Sequence, residues 1–122
     1  MLIIEDEKSL LSSYEQALKS DFNVLTADDG YKGLEILSKN VGKIHCVTLD
    51  LMMPGIDGLE VLKTIKDDKE KYGEMPVIVL TNMSSEKVIK EAFDFNAASY
   101  LIKSEIEYKD LILEINKVLG DL

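Results

Sequence analysis

The chain has 122 residues, 46% of them hydrophobic and 30% charged, and carries a formal net charge of −9. That length suits one domain around one buried core, and no apolar run approaches the roughly 18 residues of a membrane span. The acidity repels nucleic-acid phosphates, no secretory leader opens the chain, and its one cysteine cannot close an internal disulfide, so a cytoplasmic protein is expected.

Leu2-Ile3-Ile4 predicts a first strand that stops at Glu5-Asp6-Glu7. Leu10, Leu11, Tyr14, Ala17 and Leu18 then recur at helical spacing. Val24-Leu25-Thr26 predicts a second strand, and Asp29-Gly30 breaks it before a helix carrying Leu34 and Leu37. Cys46-Val47-Thr48-Leu49 is the third strand. Pro54-Gly55 marks a turn, and Asp57 with Glu60 three residues on predicts a helix cap. Leu59, Leu62 and Ile65 line that third helix, and the mixed-charge run Lys66 to Lys71 reads as its exposed end and a loop.

Pro76 introduces a fourth strand, Val77-Ile78-Val79-Leu80. Val88, Ile89, Ala92 and Phe93 mark a fourth helix, after which Asn96 suits a left-handed cap. Tyr100-Leu101-Ile102 is the fifth strand, and Leu111, Ile112, Ile115, Val118 and Leu119 line the last helix. Five βα units follow one another without a linker, so residues 1–122 are expected to form one domain. Apolar strands without alternation imply burial on both faces. The fold class is therefore α/β, a doubly wound five-stranded parallel sheet with five helices in three layers.

Sites in such sheets lie beyond the carboxyl ends of the strands, where strand order reverses. The first strand ends in Glu5-Asp6, the third in Asp50, the fourth in Thr81 and the fifth in Lys103. Three carboxylates brought together repel one another unless a cation intervenes, and an all-oxygen set suits Mg²⁺ rather than zinc. Lys103 adds a positive charge for transferring oxygens and Thr81 a hydrogen-bond donor. The set reads as a phosphoryl-transfer site with Asp50 as nucleophile.

At these residues the chain resembles the receiver domain of two-component response regulators. Leu2 to Glu7 resembles the acidic pair after the first strand, Asp50 to Gly58 the phosphoacceptor loop, Pro76 to Thr81 the switch strand, and Ala98 to Lys103 the fifth strand. The resemblance spans essentially the whole chain and implies the strand order 2-1-3-4-5, as in flavodoxin-like proteins. It implies that Asp50 takes a phosphoryl group from a sensor histidine kinase or phosphotransfer protein. Asp6, Asp50 and the backbone carbonyl of Met52 would hold Mg²⁺, with Glu5 acting largely through water; no organic cofactor is implied. Lys103 would contact the phosphoryl group, Thr81 would move to bond it, and Tyr100 would turn inward behind it. The surface of the fourth helix, fifth strand and fifth helix would then change its affinity for an output protein or domain. No nucleic acid or membrane is expected to bind here, and a monomer or weak dimer is expected.

Three positions depart from that family's pattern. Ser104 follows Lys103 where proline, often after a cis bond, is usual; a cis bond before a non-proline costs about 3 kcal/mol, so a trans or strained path is expected. Asn82 stands where a small residue is usual, within reach of the phosphoryl group or its attacking water. Asn96 replaces a common glycine, a benign change. The chain also starts close to its first strand, as a trimmed piece of a longer protein would.

Other functions fit less well. A phosphatase of the haloacid dehalogenase type wants an acid where Met52 stands, together with insertions this chain lacks. A flavodoxin-like carrier wants a Gly/Ser/Thr-rich first loop rather than Glu5-Asp6-Glu7. An unphosphorylated interaction module would not need the complete chemistry found here. The chain is thus expected to be a signalling domain, not an enzyme acting on other substrates. His45, alone at a strand start, reads as structural, Cys46 as a small buried hydrophobe, and Met52-Met53 as packing rather than a soft-metal pair.

Overall fold

The computed structural model describes residues 1–120. Its five strands are β1 (Leu2–Ile4), β2 (Leu25–Ala27), β3 (Val47–Leu49), β4 (Val77–Thr81) and β5 (Ser99–Ile102). They pair in parallel in the order β2-β1-β3-β4-β5, so the strand order reverses at β1 and β3. The helices are α1 (Lys8–Leu18), α2 (Gly30–Lys39), α3 (Gly58–Asp67), α4 (Lys69–Tyr72), α5 (Glu86–Asp94) and α6 (Tyr108–Val118), with a 3₁₀ turn at Lys103–Glu105.

Six α-helices stand where five are expected. The extra one, α4, is a single turn inside the charged run: the Asp68 carboxylate accepts the Lys71 N–H at 3.1 Å, and Gly73 at φ 88° ends it. A short side chain able to cap within a loop is enough to make such a turn. Of the longer helices, α3 starts at the cap its sequence predicts, and side chains also cap α2 and α5. Asp29 caps α2 through the Lys32 N–H at 2.8 Å, Asp57 caps α3 through the Glu60 N–H at 2.9 Å, and Ser85 caps α5 through the Val88 N–H at 3.2 Å. Asn96 adopts the left-handed conformation, φ 70°, after α5.

Alternation along each central strand divides the core into two layers. Leu2, Ile4, Val47, Leu49, Val77 and Val79 pack against Leu34, Leu37, Val61, Leu62 and Ala92 of α2, α3 and α5. Ile3, Ile78 and Leu80 face the opposite side and meet Tyr14, Leu18, Leu111 and Ile115 of α1 and α6. Burial on both faces holds for β1, β3 and β4; the edge strands β2 and β5 are only partly covered, because each has a neighbour on one side alone.

Candidate functional site

Register places the chemistry. Ile4 is level with Leu49, so Glu5 and Asp50 leave adjacent strand tips side by side. Thr81 is level with Ile102, so Lys103 emerges one residue beyond it. Glu5, Asp6 and Asp50 each offer a carboxylate oxygen, all within 4.8 Å of one another. The Lys103 ammonium donates to Asp50 Oδ2 at 2.7 Å and also to Glu5 Oε1. Backbone donors hold the remaining oxygens: the Met52 N–H reaches Asp50 Oδ1 at 3.1 Å, and the Glu7 N–H reaches Glu5 Oε2 at 3.1 Å. Behind Asp50, α3 begins against the main chain of β3's exit, and a Cβ on Gly58 would lie 2.4 Å from the Asp50 carbonyl oxygen. Glycine there lets the helix approach that closely.

Glu5 is 2% exposed and Asp50 5%. Burial raises the Glu5 carboxyl from its ordinary 4.5 to about 6, against the opposing pull of Lys103 and the Glu7 N–H. Burial alone pulls the Lys103 ammonium down, but its hydrogen bonds to Asp50 and Glu5 outweigh that and leave its pKa above the ordinary 10.5. Three carboxylates thus face one ammonium, and two of the three are nearly sealed from water. Such a cleft gains from a further cation. The donor set contains oxygens only, and Asp6 stands half-buried at the rim. These residues fit a hard divalent ion and do not fit zinc.

The remaining predicted residues are near but not bonded to the carboxylates. Thr81 is fully buried, and its Oγ1 accepts the Met83 N–H at 3.4 Å, so it points along its own loop. Tyr100, half-buried on β5, donates its hydroxyl to the Met83 carbonyl at 2.7 Å and packs against Phe93 with ring centroids 6.5 Å apart. Burial, with a smaller contribution from Asp50, raises that hydroxyl's pKa. Met52 is 59% exposed, whereas Met53 is buried. No peptide bond among the described residues is cis, so the chain leaves Lys103 through a trans bond into the 3₁₀ turn.

Asn82 lines the cleft with Asp6, Asp50 and Lys103, and its carboxamide oxygen accepts the Ser104 N–H at 3.0 Å. His45 is exposed and Cys46 is 1% exposed, its thiol pushed by burial to about 11. The backbone donors of Glu7 and Met52 and the Met83 carbonyl were beyond sequence reasoning, since every residue carries such groups. The Asn82–Ser104 pairing had a signal, two departures from one pattern, but nothing linked them across 22 positions.

The family model "Response regulator receiver domain" matches residues 1–116. The cell cycle response regulator CtrA of Brucella ovis is 32% identical over 123 residues, covering 98% of this chain and 49% of CtrA. Histidine kinase P4 of Formosa agariphila is 32% identical over 119 residues, covering 98% of this chain and 8% of the kinase. The chain therefore spans about half the length of CtrA and a small part of the kinase. Among solved structures, the chemotaxis protein CheY4 of Vibrio cholerae shares the fold with a TM-score of 0.85 at 24% identity, covering 96% of this chain and 95% of its own. With acidic strand tips and a lysine gathered at the switch point of a 2-1-3-4-5 sheet, the chain belongs to the response regulator receiver domain family and is a phosphoacceptor signalling switch of the two-component type.

Proposed function

We propose that Asp50 is the phosphoacceptor of a Mg²⁺-dependent switch formed by residues 1–122 as one receiver domain. The observation that carries this reading is the Lys103 ammonium seated on Asp50 Oδ2 at 2.7 Å, with Glu5 and Asp6 beside it. An Asp50 carboxylate oxygen attacks the phosphorus of a phosphohistidine; the new P–O bond forms as the P–N bond breaks, and the leaving imidazole takes up a proton. Lys103 holds a transferring oxygen, and the buried position of Asp50 keeps bulk water from competing. Asp6, Asp50 and the Met52 carbonyl would hold Mg²⁺, with Glu5 contributing largely through water. When bound, the ion supplies the positive charge that lets an anionic donor approach an anionic nucleophile.

The structure's hydrogen bonds suggest how the switch is read out. Thr81 gives up its contact with the Met83 N–H to bond the phosphoryl oxygen. The Met83 carbonyl moves with it, and Tyr100, tied to that carbonyl, follows. The α5–β5–α6 surface then presents a changed face to an output partner. The donor is a sensor histidine kinase or phosphotransfer protein, and the domain works in the cytoplasm as a monomer or weak dimer. Among the described residues no helix is long and apolar enough to cross a membrane.

Intact-mass measurement after incubation with Mg²⁺ and a small phosphodonor tests the reading. One added phosphoryl group is expected, absent with EDTA and absent in Asp50→Asn. Label persisting on Asp50→Asn moves the acceptor elsewhere and overturns the assignment.

A further inference from the structure

The first N–H groups of a helical turn have no partner within it. In the turn Lys103–Glu105 the N-cap position is Ile102, whose side chain offers no oxygen. The Ser104 N–H nonetheless has an acceptor, brought from another loop: Asn82 Oδ1 at 3.0 Å, 22 residues away. Asn82 leaves the end of β4 directly after Thr81, and Ser104 leaves the end of β5 directly after Lys103. One hydrogen bond therefore ties the two loops that carry the hydroxyl and the ammonium of the site. Asn82 lines the acidic cleft beside Asp6, Asp50 and Lys103, and also the adjoining groove with Leu10, Tyr14 and Tyr108. Leu10 and Lys103 border both as well. A proline at position 104 has no N–H to donate, so this tie exists only because a residue other than proline stands there.

We infer that Asn82 is a positioning residue for phosphoryl transfer: by capping the Ser104 N–H it fixes the turn from which Lys103 reaches Asp50. The inference rests on the phosphoacceptor reading and refines it. Lys103 has a long side chain with three rotatable donors. Its backbone anchor decides how much of its time the ammonium spends on Asp50 Oδ2. Without the cap the turn opens toward water, and the ammonium visits the transferring oxygens less often. The side chain of Ser104 takes no part, since only its N–H is used.

The test compares Asn82→Ala, Ser104→Ala, Ser104→Pro and the double variant Asn82→Ala/Ser104→Pro in phosphorylation by acetyl phosphate, followed by intact mass. Mg²⁺ affinity is measured separately by calorimetry. Asn82→Ala is expected to slow phosphorylation about five-fold at saturating donor, equivalent to about 1 kcal/mol in the barrier, with Mg²⁺ affinity unchanged and faster hydrogen exchange at the Ser104 amide. Ser104→Ala keeps the N–H and is expected to match the unmodified chain. Adding Asn82→Ala to Ser104→Pro is expected to have no further effect, because the donor is already gone. A full five-fold loss in that background, or an unaltered rate in Asn82→Ala while the parent chain is labelled normally, overturns the inference and leaves the phosphoacceptor reading standing. A parent chain that takes no label sinks both.

Discussion

Replacing Asp50 with asparagine removes one charge from the cleft while keeping the side chain's shape and the acceptor for the Met52 N–H. In the metal-free chain near neutral pH, Asp50 faces two carboxylates whose oxygens lie within 4.8 Å. At an effective dielectric of about 20, each repulsion is about 3.5 kcal/mol, or about 7 kcal/mol for the two. The contact with Lys103 at 2.7 Å is worth about 6 kcal/mol of attraction on the same scale. Removing the charge therefore gains about 1 kcal/mol, and the desolvation cost of a nearly sealed carboxylate pushes the same way. For a domain of this size that is a rise of about 3–5 °C in Tm. The assay is thermal unfolding followed by circular dichroism, in EDTA and in excess Mg²⁺. Asp50→Asn is expected to melt above the parent chain in EDTA. In Mg²⁺ the parent gains more, because the variant has lost a ligand oxygen, so the gap narrows or reverses. A variant that melts below the parent in EDTA would show that the ammonium outweighs the repulsion, and the argument for a cation-seeking cleft would fail.

Three further outcomes follow from the geometry. Glu5 binds its proton more tightly in the folded chain (about 6) than at its ordinary 4.5. Stability without metal therefore falls as pH rises through that window, by about 2 kcal/mol in full. Glu5→Gln should flatten this limb in a series of urea midpoints, and an unchanged slope would assign it to another group. Gly58→Ala forces a methyl against the Asp50 main chain; a loss of about 1–3 kcal/mol is expected, with slower labelling of Asp50, and an unaltered urea midpoint would mean the helix has room to shift. Tyr100→Phe leaves the Met83 carbonyl without its donor and should cost about 1 kcal/mol by chemical denaturation, with the yield of phosphorylated protein preserved; a lost yield would make Tyr100 part of the chemistry rather than its readout.

Much of this fold was legible because the central strands are short runs of branched, mostly apolar residues, and because Asp29-Gly30 and Asp57 punctuate the chain before helices. Boundaries moved by a residue or two: β2 starts at Leu25 rather than Val24, β3 at Val47 rather than Cys46, and β4 extends to Thr81. Strand ends depend on which backbone groups find partners, and side-chain type does not decide that. The turn α4 was hidden because a charged run reads alike as loop or as capped helix. In the site, the convergence of Glu5, Asp6, Asp50 and Lys103 could be expected from their places at strand tips. What could not be expected was the division of Lys103 between Asp50 and Glu5, or the orientation of Thr81 toward Met83, since these depend on angles within loops. Asn82 is the clearest case. Its residue type suggested reach to the phosphoryl group or its attacking water, and gave no sign that its oxygen would accept the Ser104 N–H.

The seclusion of Cys46 supplies a ready means of timing how often the molecule opens. It is the chain's one sulfhydryl, sealed between α-layer and sheet, with an acidity weak enough that little thiolate exists at neutral pH. An alkylating reagent can modify it only when the core around Ile3, Ile78 and Leu80 parts. The rate of maleimide capture would then count global excursions of the chain, with or without a phosphoryl group in place, using no label beyond the atom nature placed there.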